Sequence, residues 1–326
     1  MSSRSPLVSI IMTSYNASEF IAAAIESIIG QTYPTWELLI ADDCSTDNTK
    51  QIISAFVDRD NRIVVSHNAE NLHYLKTRNR LFKQAKGEFV TLLDADDLMV
   101  PTRIEKQLGF MLENPELAVC GCFASYIDQK GNPIKVEKPQ PPTEYDDIKM
   151  AFPISNPFTG SSLFFKKSVL FEFGGYREFF SGLCSEDYDL GSRIAEKYPC
   201  ANYPEALYIY RQFPTSTTRI RDLDNPKKYF SHELAQLFIK QRSNGGQDFL
   251  EIENNTGIDE YINELTKKYK EDPSLMHIEM VTSHLYAGLI KNAVHEAWLA
   301  IMANPFKLYN YRTLKYALGK WLFKTN

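Results

Sequence analysis

From Leu7 to Phe123, short runs of apolar and β-branched residues alternate with longer stretches whose apolar positions recur at helical spacing. Leu7–Thr13 (LVSIIMT), Glu37–Ala41 (ELLIA), Arg62–Ser66, Phe89–Leu93 (FVTLL) and Leu117–Phe123 read as strands. Between them, Ser18–Ile29 sets Phe20, Ile21, Ile25, Ile28 and Ile29 at helical spacing, with Gly30 as the expected C-cap. Asp47–Val57 and Tyr74–Ala85 predict two more helices, and Pro101 stands where a first-turn proline opens another. Nearly continuous apolar strands separated by helices predict a mostly parallel sheet covered on both faces. Four prolines make Lys130–Tyr145 a predicted loop. Ser162–Phe165 and Leu207–Tyr210 predict further strands around a helix at Tyr188–Glu196. Beyond Asn225 the spacing turns helical, through a polar break at Asn244–Gly246, to a final helix ending near Lys324. The expected division is an α/β domain over residues 1–224 and a helical C-terminal extension over residues 225–326.

Composition narrows the class. The chain has 326 residues, 44% hydrophobic and 24% charged, enough to build a core. A net charge of −5 is a poor basis for general nucleic-acid binding, which rests on neutralising phosphates, so no nucleic-acid partner is expected. The five cysteines show no paired Cys-x-x-Cys spacing, which points away from zinc and from a disulfide framework and towards reduced thiols in a cytoplasmic protein. The N-terminal apolar run is too short for a signal peptide, and nowhere do about 18 apolar residues run together. The six histidines show no ligand spacing.

The chemistry sits at the predicted strand ends, where open α/β sheets bind ligands. The first strand ends in Thr13-Ser14-Tyr15-Asn16, the second in Asp42-Asp43, the fourth in Asp94-Ala95-Asp96-Asp97. One Asp at a strand end is an ordinary turn residue. Three acids in four residues repel one another unless a cation neutralises them. Carboxylate oxygens suit Mg²⁺ or Mn²⁺, whose shells are commonly completed by phosphate. Neither a P-loop nor a G-x-G-x-x-G fingerprint is present, so metal through Asp-x-Asp is the remaining route to a diphosphate.

Four segments, Pro6–Asn16 (PLVSIIMTSYN), Glu37–Thr49 (ELLIADDCSTDNT), Gly87–Asp97 (GEFVTLLDADD) and Phe173–Ile194 (FGGYREFFSGLCSEDYDLGSRI), together resemble the family 2 glycosyltransferases over roughly residues 5–215. The resemblance implies an inverting, nucleotide-sugar-dependent enzyme of GT-A (Rossmann-like) fold. It implies that Tyr15 stacks on the base, Thr13 lines that pocket, and Asp43 accepts a hydrogen bond from the base N3, favouring a UDP-sugar. It places Asp94 on the ribose and diphosphate side, makes Asp96 the preferred metal ligand with Asp97 sharing that role, and sets Arg78 on the donor. Where the family usually has Gly, this chain has His73. Asp187 of the Glu186-Asp187 pair corresponds to the general base, and Phe158–Ser162 falls on the acceptor side. The implied reaction is hexosyl or N-acetylhexosaminyl transfer, with Mn²⁺ or Mg²⁺, to a glycan or lipid-linked glycan in polysaccharide biosynthesis. The competing readings are a sugar nucleotidyltransferase, which would place a Gly-rich basic loop after the first strand, and a non-catalytic nucleotide-binding relative, which would lack the acids at Asp96 and Asp187.

From Pro305 to Asn326 there are five basic residues and no acidic one. A helical wheel gathers Tyr311, Leu314, Leu318, Trp321 and Leu322 on one face. Such a stripe either packs on its own domain or lies in a membrane interface, which would put the chain at the inner face of the cell membrane as a peripheral protein.

Overall fold

The computed structural model describes residues 5–136, 139–213 and 223–322. Alternation of strand and helix holds through the first half of the chain. The first strand, β1 (Val8–Ser14), is buried except at Thr13, and β2 (Trp36–Asp42) is buried throughout. Successive strand side chains point to opposite faces, so unbroken burial means both faces are covered. Helix α1 (Ile21–Ile29) lies between them and buries Ile21, Ala24, Ile25 and Ile28, the residues its periodicity aims inward. The chain continues through α2 (Thr49–Val57), β3 (Ile63–His67), α3 (His73–Gln84), β4 (Phe89–Leu92), β5 (Leu98–Met99), α4 (Arg103–Glu113) and β6 (Val119–Ile127). After them come β7 (Pro133–Ile134), α5 (Tyr145–Ala151), β8 (Phe164–Lys166), α6 (Lys167–Glu172), α7 (Glu186–Ala195) and β9 (Cys200–Arg211).

The sheet order is β3-β2-β1-β4-β8-β6-β9-β5. Strands β3, β2, β1 and β4 are mutually parallel, β8 runs antiparallel between β4 and β6, and β6 and β9 are parallel again. The chain winds outward from β1 to β3 and returns to the other side of β1 with β4. Loops leaving β1 and β4 at their carboxyl ends therefore diverge and leave a crevice. Ile10, Met12, Leu38, Ile40, Phe89 and Phe164 are fully or almost fully buried beneath it. Each such side chain contributes about 1.5–3 kcal/mol of burial.

Gly30 caps α1 as expected, at φ −73°, its N–H bonding back to the Glu26 carbonyl. Two local expectations are corrected. The proline-rich stretch expected to be loop contains β7. Helix α7 starts two residues before Tyr188, where its apolar periodicity begins. Its first turn holds Glu186, Asp187 and Asp189, acids favoured at the positive end of the helix dipole.

The chain divides into two compact units, residues 1–132, 140–212 and 231–246, and residues 133–139, 213–230 and 247–326. The first unit includes α9 (Ser231–Ser243), which follows α8 (Pro226–Tyr229) in the chain. Phe238 packs edge-on against Phe179 and Phe180, and Arg242 donates to Glu196 at 2.9 and 3.0 Å. The second unit holds α10 (Asn255–Glu271), α11 (Ser274–Tyr286), α12 (Ile290–Ala303) and α13 (Leu308–Leu322). Its core joins Val281, Ala293, Ala297 and Ala317, with Leu314 packed against them. Lys324, the expected end of the last helix, lies outside the described residues. Among the described residues, no helix is long and apolar enough to cross a membrane.

Candidate active site

The loops after β1 and β2 are laced together. Asn16, at φ 48°, accepts from the Thr46 N–H at 2.9 Å and donates its own N–H to Ser45 Oγ at 2.9 Å. Ala17 N–H reaches Thr49 Oγ1 at 2.8 Å, and Ser18 N–H reaches Asp47 at 3.1 Å. Just before these anchors Tyr15 is left 53% exposed. Thr13, on β1, is half-buried. Asp43 is 2% exposed, and its Oδ1 accepts from Asn68 Nδ2, from the Leu72 N–H at 3.0 Å and from Thr77 Oγ1 at 3.3 Å. That concentration of donors on one oxygen fixes the carboxylate plane before any ligand arrives. The Leu72 donor comes from a tight turn into α3, in which His73 adopts φ 63° and donates its N–H to Asn71 at 2.9 Å.

The acidic turn after β4 divides its labour. Asp94 accepts from Arg78 of α3 on Oδ1 and from Ser161 Oγ on Oδ2 at 2.5 Å. Asp97 is turned inward, where Tyr208 OH donates to one oxygen and the Arg211 N–H to the other, each at 2.6 Å. Arg211 also donates from Nε to the Asp96 carbonyl at 2.7 Å, so the end of β9 clamps the turn. Asp96 is different: among the described residues its only donor is its own backbone N–H, and burial, reinforced by the neighbouring Asp94 charge, pushes its pKa up to about 6. Burial and the charges of Asp94 and Asp96 push Asp97 well above the usual carboxylate range.

Behind the turn, Arg103 is fully buried. It donates to Gln107 at 2.9 Å, the Leu92 carbonyl at 3.0 Å, Thr91 Oγ1 at 2.8 Å and the Ser161 carbonyl at 3.1 Å, with no carboxylate of the described residues in hydrogen-bond contact.

Asp187 stands on the first turn of α7, just after Ser185 at φ 75°. Its Oδ1 accepts from the Tyr188 N–H at 2.9 Å and its Oδ2 from Asn156 Nδ2 at 3.0 Å. Asn156 is itself oriented by the Phe158 N–H at 3.0 Å. Gly160 closes over the carboxylate, and a Cβ there would overlap it, standing 2.8 Å from Cγ. Burial raises the Asp187 pKa against the opposing pull of backbone N–H groups, Arg78 and Asn156. Glu186 is buried and raised as well, by desolvation and then by Asp187, with Arg78 and Tyr74 holding it back.

One connected network thus runs from Asp43 through Thr77 and Arg78 to Asp94, then through Ser161 and Gly160 to Asp187. All of it lies in the first unit. Asp43, Arg78, Asp94 and Asp187 belong to this network, Asp96 adjoins it beside Asp94, and Tyr15 follows Ser14, whose carbonyl accepts the Asp43 N–H at 2.8 Å, whereas the Asp97 oxygens are engaged from within. Asn68, Asn156, Gly160, Ser161, Tyr208 and Arg211 support these groups without carrying a motif signal of their own. The Phe158–Ser162 segment, expected on the acceptor side, is the one hint the sequence offers. Among the described residues, no three His, Cys, Asp or Glu side chains are grouped to hold a metal by themselves.

Comparison with known proteins agrees with this geometry. The sequence profile described as Glycosyl transferase family 2 matches residues 9–171. The putative teichuronic acid biosynthesis glycosyltransferase TuaG of Bacillus subtilis is 38% identical over 149 residues, 45% of this chain. The match spans 58% of that relative, little more than half its length. Among solved structures, S. aureus TarS 1-349 in complex with UDP-GlcNAc superposes with a TM-score of 0.60 at 18% identity, covering 96% of this chain and 92% of that one. The mannosyltransferase PcManGT from Pyrobaculum calidifontis, in complex with GDP-Man and Mn²⁺, gives 0.56 at 17%, covering 99% and 89%. These likenesses identify the fold as GT-A. With the profile spanning half its length, the chain belongs to glycosyl transferase family 2.

Proposed function

We propose that the chain is a metal-dependent, inverting glycosyltransferase moving a hexosyl or N-acetylhexosaminyl group from a UDP-sugar to a hydroxyl of a glycan or lipid-linked glycan. The observation that carries the reading is the approach of Asp187, through the gap at Gly160, to the network that holds Asp94. In this reading the Tyr15 ring stacks on uracil, and the second Asp43 oxygen accepts the N3–H while Asn68 and Leu72 hold the first. Thr13 lines the pocket, and the Arg78 and Asp94 pair faces the ribose and diphosphate.

The acceptor hydroxyl gives its proton to Asp187 as its oxygen bonds to the anomeric carbon. The bond from that carbon to the diphosphate oxygen breaks, with the electron pair leaving on the nucleotide. A carboxylate held in place for that transfer contributes roughly 10²–10⁴-fold. Attack opposite the leaving group makes a β-linkage from an α-linked donor.

The residues present suit a divalent cation. Asp96 is a half-buried carboxylate beside another acid and has no donor from any other described residue, whereas Asp97 and Asp94 are already satisfied. One hard oxygen ligand, with the rest of the shell left to water and phosphate, is the way such ions meet nucleotides. Held by Asp96, Mn²⁺ or Mg²⁺ would stabilise charge on the departing diphosphate. Asp97 then acts as the buttress of the turn.

Calorimetry with UDP tests the assignment. Wild type should bind in Mn²⁺ and lose binding with chelator, as should Asp96→Ala in Mn²⁺. Asp187→Asn should keep binding while transfer falls by roughly 10²–10⁴-fold. Chelator-insensitive binding together with full turnover of Asp187→Asn would overturn the reading.

A further inference from the structure

Exposed apolar side chains collect in the last two helices of the second unit and the turn between them. Half of the large hydrophobic residues exposed among the described residues fall between Trp298 and Leu322. On α12, Ala293, Ala297 and Ala300 form the buried row, while Trp298 and Met302, one turn apart, lie on the opposite side. In the turn to α13, Phe306 is 94% exposed, followed by exposed Leu308 and Tyr309. Helix α13 packs through Asn310, Leu314 and Ala317. The wheel-predicted stripe is therefore split, with Leu314 taken by the bundle and Tyr311, Trp321 and Leu322 exposed. The outward face instead mixes Tyr316 with Arg312 and Lys315, all exposed.

The charge pattern selects the occupant. This stretch is purely basic within a chain of net charge −5. Protein–protein interface cores are depleted in Lys, so cations interleaved with aromatics fit that use poorly. Lipid interfaces favour this mixture: Trp and Tyr sit at headgroup level, apolar tips enter the acyl boundary, and Lys and Arg meet anionic headgroups. We propose that the turn between α12 and α13, with the outward face of α13, is a docking surface for a bilayer carrying anionic lipid headgroups. Phe306, Leu308 and Met302 form its apolar tip, and Arg312 and Lys315 its electrostatic contact. This surface goes beyond the transfer chemistry and does not rest on it.

The test is co-sedimentation of the full chain with vesicles of phosphatidylcholine alone or mixed with phosphatidylglycerol. Binding should require phosphatidylglycerol and weaken at high salt, because exposed charges are screened. Arg312→Gln combined with Lys315→Gln should weaken it roughly thirtyfold. Phe306→Ser combined with Leu308→Ser should abolish it even at low salt; both pairs alter exposed side chains only. Equal pelleting of wild type and both variants, or no pelleting with either vesicle, overturns the proposal. Self-association by ultracentrifugation that the serine variant abolishes, with vesicle binding intact, also overturns it and assigns the face to a second copy.

Discussion

Replacing Gly160 by Ala should damage the reaction while sparing the binding of nucleotide. The added methyl would stand 2.8 Å from Asp187 Cγ and 3.0 Å from its Cβ. Carbon atoms rest comfortably at about 3.5–4.0 Å, and the carboxylate Oδ2 lies closer to the methyl than either carbon, so one partner must retreat by roughly 1 Å or more. The 3-10 turn that Gly160 opens is poorly placed to do so, because the next residue, Ser161, is held by its carbonyl on Arg103 and its hydroxyl on Asp94. Asp187 therefore moves, at an off-rotamer cost of about 0.5–1.5 kcal/mol. A displacement near 1 Å at the reacting group costs about 10²-fold in rate. We expect kcat to fall by about 10²-fold with UDP affinity nearly unchanged, and the melting temperature to drop only by about 2–4 °C. Steady-state kinetics and calorimetry on the same preparations read both quantities. If the methyl acts through Asp187, Gly160→Ala added to Asp187→Asn should cost almost nothing more, since the two changes remove one function. Wild-type kcat in the single variant, or full additivity in the double one, would refute the reasoning.

Two other perturbations address the supporting shell. Asn156→Ala removes the N–H donor on Asp187 Oδ2, so the charged carboxylate is less favoured and its already raised pKa climbs further. A base must be deprotonated to act, so the acid limb of the kcat/KM profile should move to higher pH, with roughly tenfold lower activity on that limb; an unmoved limb contradicts the contact's role. His73→Gly relieves a left-handed residue that costs an L side chain about 1–2 kcal/mol, partly offset by glycine's greater loss of freedom. Urea unfolding should show a gain of about 0.5 kcal/mol, and a loss would mean the imidazole makes stabilising contacts that outweigh the strain.

What could be read beforehand follows from how local each signal is. The acids at Asp43, Asp94 and Asp96 were legible because a strand declares itself by its apolar run, and the polar residue ending it must fall on the carboxyl edge of the sheet. The different fates of Asp96 and Asp97 were not, since Tyr208 and Arg211 arrive from β9, more than a hundred residues away. Asn156 carried no signal, and Gly160 only its place in the segment expected on the acceptor side. Their importance lies in what approaches them, and no periodicity encodes a gap for another segment's carboxylate. On α13 the wheel identified an amphipathic stripe and left open whether it packs or meets a membrane; the helix splits it, with Leu314 drawn in against the cluster of Val281, Ala293, Ala297 and Ala317 and with Tyr311, Trp321 and Leu322 left outside.

Arg103 has a consequence for the unliganded protein. A guanidinium sealed away from water with only neutral acceptors is an expensive thing to keep, and burial pulls its pKa down accordingly. It sits within electrostatic reach of Asp94. With Arg78 in front and Arg211 at the side, it gives the acidic turn a permanent internal counterweight. A mould braced in this way does not splay when its cargo departs, so each turnover can begin from a cast already set.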